Sequence, residues 1–206
     1  SSNLIVKNQT GTDYAVIVDG TTLVELDSIK VQECAYGIGV ATTTPTQYVR
    51  FYNCSVGFTV GKAIYVGTCT DIVFDNCYIE TGNTLGNISE SVLVDGGINI
   101  IFNDFTAEFS GTHVLTDSSY IRVNDSTSVT FNGGRIYHLG TASRGFFRFT
   151  GTTNKNISIR GYRLRTTKSG MTLFENVGNM SGLFIDVIAT VLSATAVVFL
   201  ATGAVN

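Results

Sequence analysis

Ile72-Val73-Phe74-Asp75-Asn76-Cys77 places two apolar residues one apart, then an Asn, then a small side chain of the kind found in cores. Alternating apolar residues lie on the same face of an extended strand. Asn after such a strand tolerates the left-handed backbone of a sharp corner. The same phrase occurs upstream as Val49-Arg50-Phe51-Tyr52-Asn53-Cys54. Downstream it returns at Ile100 to Phe105, Val129 to Gly134, Ile157 to Tyr162 and Leu183 to Ile188, and weaker copies start at Leu4 and Ile29. Aligned in this way, the second apolar position falls on Val6, Val31, Phe51, Phe74, Phe102, Phe131, Ile159 and Ile185, at steps of 20 to 29 residues.

A second alternating motif keeps step with the first. It comprises Val16-Ile17-Val18, Ile38-Gly39-Val40, Ile64-Tyr65-Val66, Val92-Leu93-Val94 and Ile121-Arg122-Val123. Phe147-Arg148-Phe149, Thr172-Leu173-Phe174 and Val197-Val198-Phe199 complete it. A third, looser strand follows each corner, as in Tyr78-Ile79-Glu80 and Thr106-Ala107-Glu108. Two markers that drift together, with three short strands to a repeat, predict a solenoid in which each strand stacks on its counterpart. The expected fold is all-β: a right-handed parallel β-helix of about eight rungs filling residues 1–206 as one domain. The Leu/Asn signature of leucine-rich repeats is absent, and propeller blades need about 40 residues each.

Composition agrees with that fold. Charged residues are 14% of the 206 and apolar ones 44%, which excludes a disordered chain and leaves little material for amphipathic helices. A net charge of -3 gives no electrostatic footprint for nucleic acid or an anionic membrane. Residues 187–205 are uncharged and long enough to raise the question of a membrane span. Both markers continue through them, so strands of the last rung are expected instead. Phe184, Val198 and Leu200 then point outward, which predicts a covering neighbour. The start at Ser1-Ser2 reads as a processed product or a fragment of a longer chain.

The corner alignment stacks Asn8, Glu33, Asn53, Asn76, Asp104, Gly133 and Gly161, and beside them Cys34, Cys54, Cys77 and Phe105. Those cysteines are expected as a file of buried free thiols, because their parallel Cβ directions suit packing better than a disulfide dihedral.

This rung, with its Asn corner, stacked Cys and Phe and Gly-rich loops, resembles the right-handed parallel β-helices of bacteriophage tailspikes. Those receptor-binding appendages belong to the wider pectate-lyase-like class. The resemblance covers nearly the whole chain and is architectural. It implies a homotrimer outside the cell, on a virion tail, that grips a bacterial surface polysaccharide, with cleavage of that polysaccharide left open. A stand-alone polysaccharide-degrading enzyme and a purely structural shaft are the alternatives.

Ligands of a β-helix lie along outward ladders. One such ladder holds Gly57, Glu80, Glu108, Tyr137 and Arg165, and a second on the same strands holds Ser55, Tyr78, Thr106, Arg135 and Arg163. Glu80 and Glu108 are therefore expected as stacked neighbours, about 5 Å apart. Paired carboxylates suit a retaining glycosidase, with one pKa raised by their mutual repulsion. Tyr78 and Tyr137 are candidates to stack on sugar rings, and Arg135, Arg163 and Arg165 to hold acidic sugars. The competing reading is a solvated face. Another ladder pairs Leu93, Arg122 and Arg148 with Asp95, Asn124 and Thr150, where a surface Asp95–Arg122 ion pair is expected. His138 aligns with Phe109 as a partly buried filler, and His113 lies in the Ser110–Ser119 loop. The aspartates form no cluster suited to calcium, so neither metal nor cofactor is expected.

Overall fold

The computed structural model describes residues 4–7, 11, 13–57, 59, 61–82, 90–110, 119–138, 145–167, 171–191 and 196–201, with backbone alone for 81, 82, 110, 191 and 196–201. Each turn of the chain lays down three strands in sequence, and each strand pairs in parallel with its counterparts in the neighbouring turns. The first file is β1 (Ile5–Lys7), β4 (Lys30–Gln32), β7 (Ser55–Gly57), β10 (Tyr78–Gly82), β13 (Thr106–Ser110) and β16 (Arg135–His138). The second is β2 (Tyr14–Val18), β5 (Tyr36–Val40), β8 (Ile64–Val66), β11 (Val92–Asp95), β14 (Ile121–Asn124), β17 (Phe147–Thr150), β19 (Met171–Asn176) and β21 (Ala196–Ala201). The third is β3 (Thr22–Asp27), β6 (Thr46–Tyr52), β9 (Cys69–Asp75), β12 (Ile98–Asn103) and β15 (Thr127–Asn132). The long strands β18 (Asn154–Thr166) and β20 (Met180–Val191) run through the corner and serve the third and first files in turn.

The fold is an all-β parallel solenoid, with no helix among the described residues. It has about six turns rather than the eight expected. Terminal copies of the repeat contribute strands with a neighbour on one side only, β1 and β21 among them, so they close no full turn.

Alternation fills the interior. Phe51, Phe74, Phe102 and Phe131 stack ring on ring along the axis at centroid separations of 4.7, 4.9 and 4.7 Å, with successive ring planes only 5° from parallel. Those separations match the distance between hydrogen-bonded strands, so one Phe per turn at one position yields a continuous aromatic column. Beside it, Phe147 stacks on Phe174 at 5.5 Å.

Register corrects the sequence alignment in two places. Val6 and Val31 pair with each other and with Val56, in the first file, while the counterpart of Phe51 is Leu26. Both strands flanking a corner carry the same alternation, so the repeat pattern alone places the two earliest copies one strand too late. Cys34 accordingly leaves the cysteine file. Ser55 N–H donates to the carbonyl of Ile29 and Tyr78 N–H to that of Cys54, so Ile29 sits below Cys54 and Cys77. All four cysteines are nevertheless buried free thiols. In the second file Phe147 pairs with Phe174, not Phe149 with Phe174. A slip of two residues keeps every side chain on its own face, and period-two patterning cannot detect it.

The corner between third and first files is left-handed at Ser28, Asn53, Asn76, Asp104, Gly133 and Gly161, with φ between 47° and 63°. Asn53 Nδ2 donates to Asp27 Oδ1 at 3.0 Å, and Asn76 Nδ2 to Asn53 Oδ1 at 2.8 Å, which ties successive turns through their amides. The 187–205 run supplies the end of β20 and all of β21, and no helix among the described residues is long and apolar enough to cross a membrane. Phe184 is half-exposed, and the Arg160 guanidinium lies 4.6 Å above its ring. Val198 and Leu200 lie outside the residues whose side chains are described, as do His113 and Asn8.

Candidate glycan-binding face

The first file turns alternate residues outward, and its register brings together the ladders read from the sequence. Tyr78 pairs with Ser55 and Thr106, Thr106 with Arg135, and Arg135 with Arg163. Two residues on, Glu80 pairs with Gly57 and Glu108, Glu108 with Tyr137, and Tyr137 with Arg165. Glu80 and Glu108 are thus direct neighbours on adjacent turns, about 4.8 Å apart at the backbone. The Tyr78 hydroxyl donates to Glu108 Oε2 at 3.4 Å. Burial first, then the charges of Glu80 and Glu108, hold the Tyr78 phenol above its ordinary range. Tyr78 therefore stays a neutral donor beside the two glutamates.

Beside this ladder the corner changes character. The side chains of Asn53, Asn76 and Asp104 line it over three turns, and then Gly133 and Gly161 leave it bare. Gly134 is obligatory for a separate reason: a Cβ there would sit 2.2 Å from the carbonyl oxygen of Phe105. Loss of side chains on consecutive turns opens a notch of about 490 Å³ with Asp104 and Thr106 at one end and Arg135 and Arg163 along one side. Arg135, Arg163 and Arg165 are exposed. A recess bordered by guanidiniums on successive turns can hold a carboxylate in bidentate fashion, with exposed backbone to meet hydroxyl groups.

The second file corrects one expectation and adds a cluster the sequence did not suggest. Arg122 Nη1 pairs with Glu90 Oε2 at 3.7 Å rather than with Asp95, and Lys62 Nζ lies 3.4 Å from Glu90 Oε1. Asp95 instead accepts from Asn124 Nδ2 at 2.7 Å, and Asn124 Oδ1 accepts from Thr150 Oγ1 at 2.8 Å. Arg148 Nε meets Glu175 Oε2 at 3.2 Å one turn further on. Tyr14 lies between Tyr36 and Tyr65, at 5.3 and 5.9 Å, in the space left by Gly39, whose Cβ would meet the Tyr14 ring at 2.8 Å. Glu90 stands outside any repeat motif, so no periodic signal marks it.

His138 is fully buried among Tyr120 and Phe146, with Nδ1 3.1 Å from Thr166 Oγ1, which fits a core filler. Among the described residues no cluster of three His, Cys, Asp or Glu side chains could hold a metal ion.

No protein-family model, curated protein or solved structure matches the chain. Its description as a solenoid rests on the strand register alone, and fold by itself does not carry function.

Proposed function

We propose that this protein recognises an acidic polysaccharide of a bacterial surface, as a phage tailspike-type appendage that works outside the cell on a virion tail as a homotrimer. The observation that carries the reading is the notch bared by Gly133 and Gly161 and flanked by Arg135 and Arg163, on the same file as the Tyr78 and Tyr137 rings. Guanidiniums supply charge-assisted hydrogen bonds to sugar carboxylates, and the tyrosines supply flat apolar surface for the rings. Turns spaced at about 4.8 Å present these groups at a repeat close to the length of one sugar unit. The test is calorimetric titration with oligosaccharides of polygalacturonate and of hyaluronan. Binding should be at least about tenfold weaker in Arg135→Ala/Arg163→Ala, as expected from losing about 1.4 kcal/mol or more. Equal affinity of wild type and double variant would sink the proposal. Light scattering tests the trimer, and a clean monomer refutes it.

A second reading is endoglycosidase activity, favoured by the neighbouring Glu80 and Glu108 with Tyr78 bridging to one of them. In a retaining mechanism one carboxyl protonates the leaving oxygen and the other attacks the anomeric carbon. Glu80→Gln and Glu108→Gln should each abolish release of new reducing ends while binding persists. Wild type that releases none from acidic polysaccharides leaves recognition alone.

A further inference from the structure

The third file carries another cleft, chemically unlike the notch. It encloses about 490 Å³ and crosses four turns. Its shape comes from the backbone. The residue just before the inward Val24, Val49, Ile72 and Ile100 of the third-file strands is left-handed: Leu23 at φ 62°, Tyr48 at 52°, Asp71 at 59° and Asn99 at 57°, and so on to Gly182 at 70° before Leu183. This column forms one wall. The other is the outward column of Glu25, Arg50, Val73 and Ile101, which are register partners on successive turns.

Gly, Asn and Asp adopt the left-handed region at low cost, and at most of these positions one of them is present. Leu23 and Tyr48 are the wrong residue types for it. Burial offsets that cost only in part, since they are 79% and 55% exposed. Two bulky apolar side chains kept in a disfavoured conformation, facing solvent at the edge of a cleft, are better explained by binding than by folding.

The lining defines the ligand. Leu23, Val73 and Ile101 give apolar surface, and Tyr48 adds an aromatic ring. Glu25 is an acceptor and Arg50 a donor, while Asn99 Nδ2 donates to Asp71 Oδ1, which leaves the amide oxygen of Asn99 and the second carboxylate oxygen of Asp71 as further acceptors. Arg50 is the register partner of Glu25 and belongs to the turn between Glu25 and Asp71, so a cationic ligand would meet it, and the carboxylates would repel an anion. An uncharged molecule with one apolar face and a rim of hydroxyls that both donate and accept suits the donors and acceptors left open in this lining. We propose that this cleft binds neutral pyranose units of a saccharide, stacked by their C–H face on Tyr48. The site is separate from the arginine-flanked notch and does not depend on it.

The test is saturation-transfer NMR with methyl α-D-glucopyranoside, methyl α-D-galactopyranoside, methyl α-D-mannopyranoside and N-acetylglucosamine. At least one should receive saturation on its ring C–H protons. That signal should vanish in Tyr48→Asn and persist in Arg135→Ala/Arg163→Ala. Asn suits the left-handed backbone, so Tyr48→Asn should keep or raise Tm, which separates loss of binding from loss of fold. No transfer to any of the four sugars overturns the proposal. So does transfer that Tyr48→Asn leaves unchanged, or a Tm that falls in that variant.

Discussion

Replacing Phe102 with Leu removes a ring from the middle of the axial stack while keeping an apolar side chain in place. Phe102 is fully buried, with Phe74 and Phe131 stacked on its two faces and the edge of Phe105 at 5.2 Å. Aromatic pairs contribute about 0.5–1.5 kcal/mol each beyond burial, so the two stacked contacts put the cost of Phe102→Leu at about 1–3 kcal/mol. Phe102→Ala also leaves a cavity and should cost about 3–5 kcal/mol. Phe51 stacks on Phe74 and has Leu26, not a ring, as its partner in the preceding turn, so Phe51→Leu should lose about half as much stacking. Urea unfolding followed by far-ultraviolet circular dichroism measures all three, and an unchanged m-value keeps the comparison on stability. Phe102→Leu that costs no more than Phe51→Leu would show that the column fills space and adds nothing by stacking.

Further outcomes are expected elsewhere. In Gly161→Asn the new Cβ has its nearest neighbours at 3.8 Å and φ is 63°, which Asn tolerates. Denaturant stability should shift by no more than about 1 kcal/mol, while calorimetry should show acidic-oligosaccharide binding reduced because the notch is filled. Gly134→Ala, by contrast, drives its Cβ against the Phe105 backbone and should fail to give soluble folded protein on expression. Burial holds the Tyr162 phenol above its ordinary value of 10. The unfolded chain gives up that proton near pH 10 and the folded chain only at higher pH, so stability is full below pH 10 and falls above it. The buried Tyr162 hydroxyl has no hydrogen-bond partner among the described residues, so Tyr162→Phe should raise stability by about 1 kcal/mol and soften the alkaline loss in pH-dependent urea melts. All four thiols are buried, and burial pushes Cys69 up to about 12. Ellman's reagent should therefore react with the protein only after denaturation; fast labelling of the native state would contradict the packing.

Much of this is legible in the sequence. The Phe column, the Asn corners and the Glu80–Glu108 and Arg135–Arg163 neighbours follow from spacing alone, because a parallel solenoid turns sequence period into spatial adjacency. The Glu90 cluster was not legible, since Glu90 lies between strands and belongs to no repeat position. Nor were the strained Leu23 and Tyr48, because a residue's φ depends on how its turn seats on the neighbouring turns.

Alternation by itself determined that the chain is a parallel β-solenoid, which side chains fill it and which face outward. It could not choose between alignments that leave those faces unchanged, so Val31 stood for Leu26 and Phe149 for Phe147 until hydrogen bonds set the register. The tertiary structure alone decided the recesses. A notch exists only where side-chain-free corners fall beside guanidiniums on successive turns, and the third-file cleft only where left-handed residues line up. Both are products of stacking between turns, an interaction to which a single strand's pattern is blind.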